Sequence, residues 1–274
     1  MSIVLAAATP ASGATGSQGA DTAAEGDPKD VLSSASSGRD EVELRRNPDE
    51  RSERQFVYRR GSGVPRVLDI SVPRHVSALG RPDMALGDDA RGRLTLVAES
   101  RRGLYYARVE GAQRLRRVRH TGRRDHSPSL FRGRIAYGTE GPTLRRGRAA
   151  FIPSRLRLAA LATGRRRTIW ENDFRELTST SIPSEYFVTQ TDVGRGGSVA
   201  FVTSRDGAGN GADVGHIALR GREAKRVLSL RIPTSGGGIF ASVSSSGRSV
   251  TFESCRGSKC ADHTYSMRTG RKLS

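Results

Sequence analysis

One pattern recurs along the chain and limits what it can fold into: a turn ending in Gly, then a short strand with apolar residues at alternate positions. Its clearest copy is Ser242 to Cys260 (SVSSSGRSVTFESCRGSKC), where Val250 and Phe252 fall on one face and Thr251 and Glu253 on the other. Gly92 to Ser100 (GRLTLVAES), Gly133 to Glu140 (GRIAYGTE) and Gly197 to Arg205 (GSVAFVTSR) repeat it, each followed by a second short strand. The opening glycines stand 41, 64 and 50 residues apart. The shortest interval is close to the roughly 40–50 residues of a four-stranded antiparallel unit, and insertions account for the excess.

The second unit runs from the Gly92 strand through the Tyr106 strand and the Gly111 turn to Leu115–His120. QFVYRRGSGVPRVLDISVP, beginning at Gln55, matches only its second half. The third unit opens at HSPSLFRGRIAYGTE and carries an extra segment, TLRRGRAAFIP. The fourth starts at GSVAFVTSRDG, and the fifth holds the Cys turn and closes with HTYSMRTGRKLS. Hydrophobic residues make up 35% of the chain and aromatics 5%, with 32 Gly, which suits many short strands better than long core helices. Units stacked radially form a propeller, so the expected fold is all-β: one domain over residues 55–274, a β-propeller of five or six four-stranded blades whose core lies in thin layers between sheets.

The same residues carry a family resemblance. HSPSLFRGRIAYGTE and SVSSSGRSVTFES resemble the blade motif of TolB-like propellers, a Ser-Pro-rich inner strand followed by a Gly turn and a strand of the I-A-F-x-S kind. GSVAFVTSRDG is similar to the strand end and Arg-Asp-Gly hairpin of that motif. The usual Pro-Asp-Gly turn is replaced by Ser245-Ser246-Gly247 and by Phe131-Arg132-Gly133. Nothing resembles the α/β domain that precedes the propeller in TolB itself.

Residues outside the repeats complete the expected organisation. Ile3 to Ala8 is a short apolar run followed by Pro10 and small residues, so residues 1–14 read as the distal end of a secretory signal cleaved after Ala14. Residues 15–54 are rich in Ala, Gly, Ser and charge, and are expected to be a disordered tail. Cys255 and Cys260 flank a four-residue turn, where a disulfide across the hairpin suits an exported protein better than a metal site lacking a second Cys pair. The expected location is the cell envelope or the medium, with no membrane span.

The net charge of +18 invites a nucleic-acid reading. Only four of the 46 basic residues are Lys (Lys29, Lys225, Lys259, Lys272), Arg is spread over turns along the whole chain, and no aromatics interleave it for base stacking. Specific nucleic-acid binding is therefore not expected. In a propeller the turn between the second and third strands of a blade opens on the same face as the connection between blades. That geometry gathers the TLRRGRAAFIP insertion, the loop RDGAGNGAD, the Cys turn, and the segments TGRRDHSP and NDFRELTSTSIPSEY. The face carries Arg123, Arg124, Arg145, Arg146, Arg148, Arg256 and Lys259, and suits an anionic partner.

Catalytic and metal patterns are weaker. Asp206, Asn210 and Asp213 loosely resemble a calcium loop with too few ligands. Asp125 and His126 are strand neighbours pointing to opposite faces, and no G-x-S-x-G elbow accompanies Ser127, so His126 reads as structural at the channel mouth. His75, His120, His216 and His263 lack metal spacing. Asp88 and Asp89 are adjacent rather than facing, and Glu171, Asp173, Glu176 and Glu185 share one region. Trp170 is expected to pack between blades. The sequence thus points to a monomeric, non-enzymatic binding module without cofactor or metal, presenting its Arg-rich face to a protein or an anionic envelope polymer. The alternative is a polysaccharide-processing hydrolase or lyase using channel carboxylates.

Overall fold

The computed structural model describes residues 30–48, 50, 53–112, 114–146, 149–172, 185–194, 198–206, 211–220, 223–233, 243–245, 248–256, 259–266 and 269–274. These residues form five successive antiparallel sheets. Sheet one holds β1 (Val31–Ser37), β2 (Asp40–Arg46), β3 (Arg54–Arg60) and β4 (Arg66–Val67); a one-turn helix, α1 (Arg74–Ser77), follows it. Sheet two holds β5 (Met84–Asp88), β6 (Leu94–Ser100), β7 (Gly103–Arg108) and β8 (Arg116–Arg117). In sheet three, β9 (Asp125–Phe131) and β10 (Arg134–Glu140) are separated from β13 (Ser154–Ala160) and β14 (Arg166–Glu171) by a self-paired hairpin, β11 (Leu144–Arg146) and β12 (Ala149–Phe151).

Sheet four is β15 (Glu185–Val193), β16 (Val199–Asp206), β17 (Gly211–Arg220) and β18 (Glu223–Pro233). Sheet five is β19 (Val243–Ser245), β20 (Ser249–Arg256) and β21 (Lys259–Ser266). Beside β21, Lys272 bridges Tyr265, and the Leu273 amide donates to the Thr264 carbonyl at 2.7 Å. Each sheet is an up-and-down meander, and the first strands meet one another in order: β1 with β5, β5 with β9, β9 with β15, β15 with β19.

Sheet one corrects the expected boundary at residue 55. Its first two strands lie at Val31–Ser37 and Asp40–Arg46, inside the stretch assigned to a disordered tail. The charges there are not solvated disorder but the outer face of a strand. Val42 and Leu44 are fully buried, while Glu41 stands opposite Arg59 in register and pairs with it at 2.6 Å. The Tyr58 hydroxyl donates to Asp40 at 2.6 Å. Two inward residues suffice when the rest of the face comes from neighbouring strands. The match of the Gln55 segment to the second half of a unit holds, because β3 and β4 are the third and fourth strands of their sheet. The signal-like residues 1–14 lie outside the described residues.

The cores lie between sheets. Val42, Leu44, Phe56, Leu86 and Leu96 join sheets one and two; Val97, Leu104, Leu130, Ile135 and Tyr137 join two and three. Leu156, Ile169, Val188, Val199 and Phe201 join three and four. Trp170 packs into this last layer with its ring 5.1 Å from that of Phe201, between sheets as expected. The approach is close enough to exclude side chains in places: a Cβ on Gly87 of β5 would stand 2.2 Å from the Leu130 carbonyl oxygen of β9.

Candidate functional site

A β-strand alternates its side chains strictly unless an extra residue is inserted, and three of the innermost strands contain such an insertion. In β1 the register skips Leu32; in β9 Ser127 and Pro128 stand opposite Tyr137 alone; in β15 it skips Thr189. A bulge re-aims the residues around it, and all of these line one cavity. Its volume is about 560 Å³, and its walls are Leu32, Ser33 and Ser34 from sheet one, Arg81 to Met84 ahead of and in sheet two, Ser127 and Pro128 from sheet three, and Thr189 to Thr191 from sheet four.

Hydrogen bonds fix the bulges against each other. Ser127 adopts φ 50°, in the left-handed region, and its Oγ lies 2.9 Å from both Asp83 Oδ2 and the Thr189 carbonyl. Thr191 Oγ1 in turn lies 2.7 Å from the Ser127 carbonyl and 2.9 Å from Ser129 Oγ. The strained backbone of Ser127 is thereby held from sheet four and from the segment that leads into sheet two. Gln190 adds to the same wall a buried Oε1 that has no hydrogen-bond partner among the described residues.

Beside the cavity the structure gathers acids that sequence reading did not group. Asp83 precedes β5, and Glu99 and Glu140 lie at or near the ends of β6 and β10. The Asp83 amide donates to Glu99 Oε2 at 3.3 Å, and the Glu99 amide donates to the Asp83 carbonyl at 2.8 Å. Burial, followed by the charges of Asp83 and Glu140, pushes the Glu99 carboxyl up to about 7. His126 Nε2 sits 3.9 Å from Glu140 Oε1, and Nδ1 sits 3.2 Å from Ser127 Oγ. Burial pushes the imidazole below its ordinary range despite the opposing pull of Glu140, Asp83 and Asp125. The cavity wall thus offers acceptors to a donor-bearing group, and beside it lies one carboxyl pushed toward neutrality.

Asp125 acts on His126 only through its charge, since its carboxylate accepts from Thr139 Oγ1 at 2.6 Å and from the Gly122 amide at 2.7 Å. A repeat signal for the acids was present. Glu99 and Glu140 each stand seven residues after the glycine that opens their strand, Gly92 and Gly133.

The turns between second and third strands and the connections between sheets fall at this end of their sheets. The β11–β12 hairpin, the turn after β16 and the turn after β20 each join second and third strands, and the segments before β9 and β15 join sheets. Arg123 is exposed and Arg124 half-buried before β9, Arg145 and Arg146 lie in β11, and Arg256 stands opposite an exposed Lys259. Arg148 and Asn210 lie outside the described residues. Cys255 and Cys260 are directly opposed in the β20–β21 register. Among the described residues there is no group of three or more His, Cys, Asp or Glu placed to hold a metal, and no helix long and apolar enough to cross a membrane.

No protein-family model and no curated protein sequence matches the chain. Solved structures do. TolB from Acinetobacter baumannii superposes with a TM-score of 0.52 at 13% identity, over 88% of this chain and 53% of that one. A puromycin-hydrolyzing peptidase from Mycobacterium tuberculosis gives a TM-score of 0.53 at 13% identity, over 89% of this chain and 38% of that one. The chain thus spans about half or less of the length of these structures. At such identity the likeness concerns the fold alone, and it identifies an all-β arrangement of propeller type.

Proposed function

We propose that this chain is an exported propeller-type binding module of TolB-like kind, which takes an acidic partner, a protein or an envelope polymer, at the loop-bearing end of its sheets. The observation that carries this reading is topological: the inserted hairpin, the second-to-third-strand turns and the between-sheet connections gather at one end, together with Arg123, Arg124, Arg145, Arg146, Arg256 and Lys259. Basic side chains on the rim attract an acidic partner over a Debye length. The Cys255–Cys260 pair, bridged, would brace one of these turns. The test is retention of the full chain on immobilised acidic polymers, polygalacturonate and a polyglycerol phosphate, at low and moderate salt. Salt-sensitive retention that Arg145→Gln, Arg146→Gln and Arg148→Gln together abolish supports the reading; retention unchanged by that triple refutes it.

One observation favours a second, enzymatic reading. A carboxyl titrating near 7, close to a second carboxylate and a neutral imidazole beside a cavity, has the parts of a general acid–base pair. Shortening of a glycan panel by the full chain, lost in Glu99→Gln and Glu140→Gln, would establish it in place of simple binding.

A further inference from the structure

A second pocket lies at the other end of sheet two, away from the loop-bearing end. It forms where β7 turns into β8, has a volume of about 350 Å³, and is lined by Tyr106, Ala107, Arg108, Gly111, Ala112, Arg114 and Arg116. Three exposed arginines therefore line one small concavity. Strand geometry explains part of this: Tyr106 is the Cα partner of Arg116 and Arg108 lies two residues along β7, so alternation puts these three on one face, and Arg114 is held next to them by its bridge to Ser71.

The backbone beneath these side chains is fixed. Arg108 ends β7, Arg116 begins β8, and Arg114 is bridged to Ser71. Glu110, the one acid between Gly103 and Arg117, is directed to Arg66 of sheet one at 3.9 Å. None of the three arginines forms an ion pair or a side-chain hydrogen bond among the described residues. The three exposed side chains give the concavity a net positive charge. An incoming oxyanion is attracted there, because guanidinium groups present paired N–H donors matching its oxygens.

We infer that this pocket is a site for a tetrahedral oxyanion, of the kind carried by a phosphate or sulfate monoester, with the three arginines as its donors and Tyr106 as a flat wall for whatever bears the anion. It is independent of the acidic-partner reading, because it shares no residue with that rim.

Calorimetric titration of the full chain with inorganic pyrophosphate, then with glycerol 3-phosphate and a sugar sulfate, tests the proposal at physiological salt. The expected result is saturable one-to-one binding that weakens at least tenfold in the Arg108→Gln, Arg114→Gln, Arg116→Gln triple. A control triple of equal charge, Arg101→Gln, Arg248→Gln, Arg271→Gln, should bind as the parent does, and so should the Arg145, Arg146, Arg148 triple. Arg114→Lys keeps the charge but loses the fork, and should weaken binding severalfold. Non-saturable heats, or equal weakening in the pocket and control triples, would mean diffuse attraction by a chain of high positive charge and would overturn the site. The relative affinity of the phosphate and sulfate esters identifies which class it takes.

Discussion

Replacement of Glu99 by Gln isolates the electrostatics of the acidic wall. Gln keeps the shape and the carbonyl that accepts from the Asp83 amide, and removes only the charge. The Glu99 carboxyl moves from its ordinary 4.5 to about 7 on folding. Each tenfold change in a proton equilibrium is about 1.4 kcal/mol, so the full displacement corresponds to about 3 kcal/mol. Partial access of solvent screens this to about 1–2 kcal/mol.

The sign follows from proton counting. Between pH 4.5 and about 7 the native state holds a proton that the unfolded chain has released, so stability falls as pH rises through this window and levels off above it. The Gln variant lacks that loss. Urea or thermal melts from pH 4 to 9 should coincide for the two proteins near pH 4.5, and the variant should melt about 3–6 °C higher at pH 8. Parallel curves, or a parent more stable than the variant at pH 8, would show that the Glu99 charge is compensated in the native state and refute the argument.

Other consequences are equally direct. A chain starting at Gln55 loses β1 and β2, exposes Phe56, Leu86 and Leu96, and should aggregate or show no cooperative melt where the full protein melts cooperatively. Ser154→Ala strands the buried Val188 amide that its Oγ accepts at 3.1 Å between sheets three and four, and should cost about 1–3 kcal/mol in denaturant titration. Gly87→Ala drives a methyl into the Leu130 carbonyl, and should cost about 3 kcal/mol by the same assay. Alkylation under non-reducing conditions should leave Cys255 and Cys260 unmodified, and label both after reduction.

The repeats were legible because a glycine turn followed by a short apolar run marks each second strand; Val97, Ile135, Val199 and Val250 all go to buried positions, and Thr95–Ala98, Ile135–Gly138 and Val199–Thr203 are buried on both faces. The first sheet was not legible because Asp40–Arg46 carries its apolar residues at only two positions, between charges that find partners across the strand. The acidic wall escaped for a different reason. Asp83, Glu99 and Glu140 come from two sheets, and only the stacking of β5 on β9 brings them to one place. The bulge in β9 had a local signal in Pro128, which cannot donate to the ladder; the one at Thr189 had none and is set by packing between sheets. The Arg residues of the loop face were grouped by their position in the repeat, and the Arg145, Arg146 and Arg148 triple tests whether they bind.

The β11–β12 hairpin has an implication for how such a chain can change. Its stem is closed before the excursion begins: Glu140 pairs with Ser154 in register, and the Gly141 amide donates to the Pro153 carbonyl at 2.6 Å. Residues 142–152 thus hang from a clasp already complete without them. In an evolving lineage, such a segment is a cassette that can be lengthened, exchanged or lost in one step, while the sheet that carries it keeps its register. In the laboratory it is the place to splice in a foreign epitope or a fluorophore tag.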